Sequence, residues 1–198
     1  MVCFDERPCF LSGSTVAALA LKAGSVLKEH YEYEKKGSCA LLAAIEPKTG
    51  QRVAQVFDQR RQREYALFLR ELAAQYPRAE KIRLVQDTLN THNLSSLYET
   101  FTAEEAFRLG QRFEFYYTPK KASWLNMIEI EFSAIARQCL HRRIATKAEL
   151  EREVQAIVKE RAGKAIKVEW QFSITSARTK LNRHYEQVQA ENIRYKET

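Results

Sequence analysis

The apolar residues of this chain arrive in short runs closed by turn residues, and between the later runs they recur at three and four. That pattern is one of strands and helices in an α/β layer fold. Val2 to Asp5 is an apolar triplet running into an acid. Ser38 to Ile45 is continuously small and apolar, ends at Glu46-Pro47-Lys48-Thr49-Gly50, and is followed by the alternating segment Arg52 to Phe57. Two short strands joined by a Pro-to-Gly turn fit this stretch.

Between Glu64 and Tyr76 the residues Tyr65, Phe68, Leu69, Leu72, Ala73 and Tyr76 keep the helical period, and Pro77 ends it. Lys81 to Asp87 is predicted as a strand. Asn93 to about Arg112 is predicted as helix with a break near Phe101-Thr102, where Thr102-Ala-Glu-Glu can cap a second segment. Phe113 to Tyr117, bounded by Pro119, is a further strand. A long helix is expected from Trp124 to about Arg143, another from Thr146 to about Arg161, then a short strand at Lys167 to Phe172 and a basic helix from about Thr175. The stretch from Glu6 to about Glu34 has no strong period and is expected to be irregular.

With 198 residues, 45% of them hydrophobic and 29% charged, the chain can bury a real core as one domain over 1–186, with a polar tail at 187–198. No apolar run approaches the ~18–20 residues of a membrane span, and the first residues lack a signal-peptide pattern, so a cytoplasmic protein is expected. The four cysteines, Cys3, Cys9, Cys39 and Cys139, form no C-x-x-C pair, which argues for buried reduced thiols rather than a zinc site. A formal charge of +7 favours a polyanionic partner.

Three acids fall where such a fold exposes them: Asp5 at the first strand, Asp87 at the end of the fourth, and Glu129 on the helix after the fifth. Carboxylates are hard oxygen ligands suited to Mg²⁺ or Mn²⁺, and a pair of such ions can activate water and stabilise the leaving oxygen of a phosphodiester. Glu6 and Glu131 are local rivals. Neighbours on a strand face opposite ways and residues two apart on a helix point roughly 200° apart, so only one of each pair can face the site.

Asp87 sits in Leu84-Val-Gln-Asp-Thr-Leu-Asn-Thr-His92, and Glu129 closes Thr118-Pro-Lys-Lys-Ala-Ser-Trp-Leu-Asn-Met-Ile-Glu129. Together with Cys3-Phe-Asp-Glu6, these segments resemble the DDE endonuclease domain of bacterial insertion-sequence transposases related to the mariner superfamily. Tyr31-Glu-Tyr33 ahead of Gly37-Ser-Cys39, Leu97-Tyr-Glu-Thr-Phe101, Arg137-Gln-Cys-Leu140 and Trp170-Gln-Phe172 extend the resemblance over nearly the whole chain. It implies an RNase H-like fold, a mixed five-stranded sheet flanked by helices with extra C-terminal helices. It also implies that Asp5, Asp87 and Glu129 hold two divalent ions, Mg²⁺ or Mn²⁺, and that the protein cuts double-stranded DNA at element ends and joins the freed 3′-hydroxyls to target DNA, commonly at TA.

Around these acids, Asn126 either steadies the Glu129 carboxylate, touches the DNA backbone, or caps the helix. His92 and Asn90 either shape the turn after Asp87 or contact the scissile strand. Trp124 reads as a core or inter-helix anchor rather than a base-stacking residue. Lys120, Lys121, Arg137, His141, Arg142 and Arg143 are candidate phosphate contacts, as are Arg60, Arg61 and Arg63, with a solvated charged face as the competing account for each. Gln86 interrupts a strand that relatives keep apolar, and Thr88 stands where many carry Asn. Members of the family place a helix-turn-helix module before the catalytic core, and this chain starts four residues before Asp5. An upstream reading frame supplying that module, and a homodimer on DNA, are therefore expected. A truncated non-catalytic DNA-binding or dimerisation remnant, and a purely hydrolytic RNase H-like nuclease, are the competing readings.

Overall fold

Of the stretch expected to be irregular, residues 6–14 and 33–34 are strand, and 17–29 lie outside the described residues. In the computed structural model β1 runs from Val2 to Ser14 and β2 from Tyr33 to Ile45, paired antiparallel from Cys3 opposite Ile45 to Ser14 opposite Tyr33. Cys9 and Leu11 are buried while Pro8 and Phe10 are exposed, an alternation that Pro8 and the nearby glycine concealed in the sequence. The next strand over pairs only with Val2 and Cys3, so Pro8 lies where β1 has one neighbour. A residue without an N–H is tolerated there. The register shifts between Leu11 and Ser12, across from Gly37, whose φ of 108° suits the bulge. The structure describes residues 1–16, 30–119, 122–180 and 182.

β3 (Arg52–Phe57), β4 (Ile82–Gln86) and β5 (Phe113–Tyr117) complete a mixed sheet in the order β3-β2-β1-β4-β5. β1, β2 and β3 are antiparallel neighbours, whereas β4 runs parallel to β1 and β5 parallel to β4. The β2–β3 turn is fixed at Gly50. Its N–H donates to Glu46 O at 2.8 Å, its φ is +80°, and a Cβ there would stand 2.6 Å from Ile166 O. Only glycine fits both conditions.

Helices cover both faces. α1 (Gln62–Gln75), α2 (Ser95–Thr100) and α3 (Ala103–Gly110) lie over one side, where Phe4, Leu42, Phe68, Leu69, Leu84 and Leu97 form a core. α4 (Ile128–Gln138) and α5 (Lys147–Gly163) cover the other, on a core that includes Leu41, Ile45, Ile128, Phe132 and Val154. The break expected near Phe101-Thr102 is present, and Thr102 Oγ1 accepts the Glu105 N–H at 3.3 Å. Thr146 caps α5 in the same way, accepting from Glu149 N at 3.1 Å. All four cysteines are buried and free.

Two other expectations need correcting. The helix read from Trp124 to about Arg143 is a 3-10 turn at Ser123–Leu125 followed, after an extended Asn126 (φ −76°, ψ 121°), by α4. Lys167 to Phe172 forms no strand; Val168 N–H donates to Pro47 O at 3.1 Å, but a single bond makes no ladder. Residues 1–168 make one compact unit and 169–198 a second, in which 174–180 is helical. Among the described residues no helix is long and apolar enough to cross a membrane.

Candidate active site

Strand register brings two of the acids side by side. Val2 pairs with Leu84 and Cys3 with Val85, and the same one-to-one step carried forward sets Asp5 level with Asp87, just past the end of β4. Level residues on adjacent parallel strands share a face at the ~4.8 Å strand spacing. Alternation places Asp5 on the side of Cys3, under α4, and Glu6 on the side of Phe4, under α1. Glu129 lies in the first turn of α4.

Asp5 is 6% exposed, and its Oδ1 accepts the Glu6 N–H at 2.8 Å. Burial pushes its pKa up to about 7; the Glu6 N–H and His92 oppose that rise, while the charges of Asp87 and Glu129 reinforce it. Among the described residues no lysine or arginine pairs with Asp5, and no three acid, histidine or cysteine side chains close around a single point. Asp87 is turned instead onto its own loop, its Oδ1 lying 2.6 Å from His92 Nδ1 and accepting the Leu89 N–H at 3.1 Å.

The side chains around the acids are anchored from several elements. Asn126 is fully buried, and its Nδ2 donates to Phe4 O at 2.7 Å while its Oδ1 accepts the Ile128 N–H at 3.4 Å. It therefore ties the start of α4 to β1 beside Asp5, which fixes the helix carrying Glu129 against the strand carrying Asp5. His92 is 1% exposed, with its ring stacked on Tyr65 (centroids 5.0 Å, 29°) and edge-on to Phe4 (5.1 Å, 68°). Burial alone would lower the His92 pKa, but Glu6 and Asp87 hold it above its ordinary value. Gln86, the polar interruption of β4, is fully buried and satisfied: its Oε1 accepts from Tyr65 Oη at 2.7 Å and its Nε2 donates to His92 O at 3.0 Å.

The rival acids have other partners. Glu131 is buried between Arg52, whose Nε lies 2.9 Å from Oε1, and Arg161, which approaches both carboxylate oxygens at 3.0 and 3.1 Å. Glu6 sits 3.2 Å from Arg60 Nη1 and 3.5 Å from His92 Nε2. The link from Arg60 through Glu6 and His92 to Asp87, and the roles of Gln86 and Tyr65, were not anticipated. A glutamine inside an apolar strand was the available signal.

The remaining candidates divide. Asn90 is exposed and its carbonyl accepts from Asn93 Nδ2, so it shapes the turn. Arg137, Arg142 and Arg143 stand at or beyond the far end of α4, and eight helical residues separate Glu129 from Arg137, ~12 Å along the axis. Arg142 pairs with Glu153 at 2.8 Å, and Arg143 donates to Ser14 Oγ at 3.1 Å and to the backbone at His30 and Tyr31. The structure thus does not bring these two to the acids but employs them on α5 and the β1–β2 hairpin. Trp124, read as a core or inter-helix anchor, is 38% exposed. Lys120 and Lys121 lie outside the described residues.

A mixed five-stranded sheet in the order β3-β2-β1-β4-β5 with helices on both faces is the arrangement of an RNase H-like fold. The sequence profile of the DDE superfamily endonucleases matches residues 1–151, about three quarters of the chain, and the chain belongs to that family. Among solved structures, the Mos1 transposase paired-end complex with left transposon end aligns with TM-score 0.55 at 11% identity, covering 83% of this chain and 50% of that one. The catalytic domain of Mos1 mariner transposase aligns with TM-score 0.49 at 10% identity, covering 83% of this chain and 79% of that one. The first of these establishes the shared fold, and this chain spans half the length of that Mos1 chain. No curated protein sequence matches significantly.

Proposed function

We propose that this chain is the catalytic domain of a cut-and-paste DNA transposase, with Asp5, Asp87 and Glu129 as its catalytic acids. The observation that carries the reading is the register of β1 on β4, which sets Asp5 level with Asp87, with Glu129 in the first turn of the helix that Asn126 ties to β1 beside Asp5. A buried carboxylate with no lysine or arginine paired to it among the described residues suits a hard divalent cation. Asp5, Asp87 and Glu129 would hold Mg²⁺ or Mn²⁺, two ions per site, which when bound supply positive charge at the scissile phosphate and lower the pKa of water.

The chain's own part is positional. Asn126 sets α4 against β1, and the loop after β4 sets Asp87. In cleavage a water oxygen bonds to phosphorus as the P–O3′ bond breaks, leaving a 3′-hydroxyl and a 5′-phosphate. In joining, that 3′-hydroxyl oxygen bonds to a target phosphorus, at a TA dinucleotide, as the target's 3′-oxygen leaves with a proton. Both are in-line displacements and neither needs a covalent enzyme intermediate. Recognition of the element ends is assigned to a helix-turn-helix segment outside residues 1–198, and the working form is a homodimer on paired DNA ends in a bacterial nucleoid.

The test is cleavage and joining of a labelled duplex carrying the element's ends, with Mg²⁺ or Mn²⁺, by the chain fused to its end-reading segment. Wild type is expected to cut and join, whereas Asp87→Asn and Glu129→Gln lose at least ~10³-fold in rate while remaining folded. Cutting retained by either variant would overturn the assignment. Cutting without joining would point to a hydrolytic nuclease, and DNA binding without cutting to a non-catalytic remnant.

A further inference from the structure

We propose that His92 is a positioning residue for Asp87, and that Glu6 acts on the site through His92 rather than as a cation ligand. The inference rests on the reading of Asp87 as a catalytic acid. A histidine that merely filled the core would satisfy its ring on nearby backbone. Here the two ring nitrogens face carboxylates from two different elements, Nδ1 at 2.6 Å from Asp87 Oδ1 and Nε2 at 3.5 Å from Glu6 Oε2.

The ring has little freedom to do anything else. It is gripped between Phe4 and Tyr65, its backbone N–H donates to Leu89 O at 2.8 Å, and its carbonyl accepts from Gln86 Nε2 at 3.0 Å and Tyr117 Oη at 3.4 Å. A held imidazole fixes what it holds. Asp87 Oδ1 takes the contact with His92 and the Leu89 N–H, so both its lone pairs are engaged and Oδ2 is the oxygen left to present. Glu6 is oriented from its other side by Arg60 Nη1 on Oε1 at 3.2 Å. That engagement explains why Asp5, and not the adjacent acid, is the β1 residue available to the site. His92 Nε2 makes no hydrogen bond of good geometry among the described residues, so Glu6 acts on the ring through charge and proximity.

The experiment measures Mn²⁺ affinity by electron paramagnetic resonance on the full chain, with the fold checked by near-ultraviolet circular dichroism. DNA-cleavage kcat and KM of the fused enzyme are followed in parallel. His92→Asn, whose amide nitrogen falls near the place of Nδ1 but which loses the contact with Glu6, is expected to weaken Mn²⁺ binding no more than Glu6→Gln does. His92→Gln, which loses that donor, is expected to bind Mn²⁺ ~10–100-fold more weakly and to lower kcat with KM for DNA unchanged. Glu6→Gln is expected to weaken Mn²⁺ binding ~3–10-fold, the lower part of the range for a partner one contact further out.

A folded His92→Gln that binds Mn²⁺ as wild type does would overturn the positioning role. Should His92→Gln fail to fold, unchanged affinity in Glu6→Gln would overturn it. Asp87→Asn is the control on the underlying reading: if it binds Mn²⁺ as tightly as wild type, the assignment of the cation site falls and this inference falls with it.

Discussion

At the residue scale, Asp5 holds a carboxylate in a place that water scarcely reaches, and the consequence is measurable without any substrate. Its pKa rises from 3.8 to about 7 in the folded chain, so between those values the folded protein binds more protons than the unfolded one. The contribution to stability is therefore fully present below pH 3.8 and is lost as pH rises through 7, on the order of a few kcal/mol in all. In metal-free buffer the wild-type melting temperature is expected to fall from pH 5 to pH 8, at ~2–4 °C per kcal/mol for a chain of this size. Asp5→Asn removes the buried charge and should flatten that profile, melting above wild type at pH 8. Identical slopes in thermal scans of the two proteins would show that Asp5 is not the destabilising charge. At Gly50 the constraint is steric: Gly50→Ala meets Ile166 O and a positive φ together, and a loss of ~1–3 kcal/mol in urea unfolding is expected.

At the scale of elements, the buried cluster of Arg52, Glu131 and Arg161 joins β3, α4 and α5. Arg52 also donates to Gly50 O and to Ile166 O at 2.6 Å, so one guanidinium ties the β2–β3 turn to the segment beyond α5. Removing the carboxylate leaves two neighbouring guanidinium groups without a counter-charge, the buried Arg52 keeping only backbone carbonyls as partners. Glu131→Ala is expected to cost ~3–5 kcal/mol in denaturant unfolding, far more than an exposed acid would; a loss under ~1 kcal/mol would contradict the burial of the cluster. The same cluster shows what could be read in advance. Helical spacing alone established that Glu129 and Glu131 cannot face the same way, but not which faced the site. α1 and α3 were legible because period, cap and stop agree at Glu64, Thr102 and Pro77. The β1–β2 hairpin was not, because Pro8 and Gly13 signal turns locally and their tolerance depends on pairing far away in sequence. Asn126 was readable as a cap, yet its bond to Phe4 O joins residues more than a hundred apart. No local pattern encodes such a bond. The partners of Arg142 and Arg143 escaped for the same reason, since a basic cluster looks alike whether it faces phosphate or protein.

For the molecule as a whole, the proposed division of labour leaves residues 1–198 with chemistry and non-specific attraction, and assigns the reading of element ends elsewhere. The formal charge of +7 supplies that attraction, and Arg60, Arg61 and Arg63 are exposed around the amino end of α1, where Arg60 contacts Glu6. Duplex binding by this chain should therefore be indifferent to sequence and steeply dependent on salt. If about four phosphates are neutralised, log K falls with log salt at a slope of ~−3.6, a loss of ~150-fold between 50 and 200 mM. Fluorescence anisotropy with a duplex carrying the element's end and a scrambled duplex of equal length is expected to give affinities within ~3-fold at every salt concentration. Replacing Arg61 and Arg63 by Gln should make the slope shallower by ~2 for both duplexes alike, because phosphate contacts carry no sequence information. Arg60 is left intact in that variant, since its bond to Glu6 belongs to the site. A preference of tenfold or more for the element end would place sequence reading within these residues and overturn the division. An unchanged slope in the double variant would move the DNA path away from the amino end of α1.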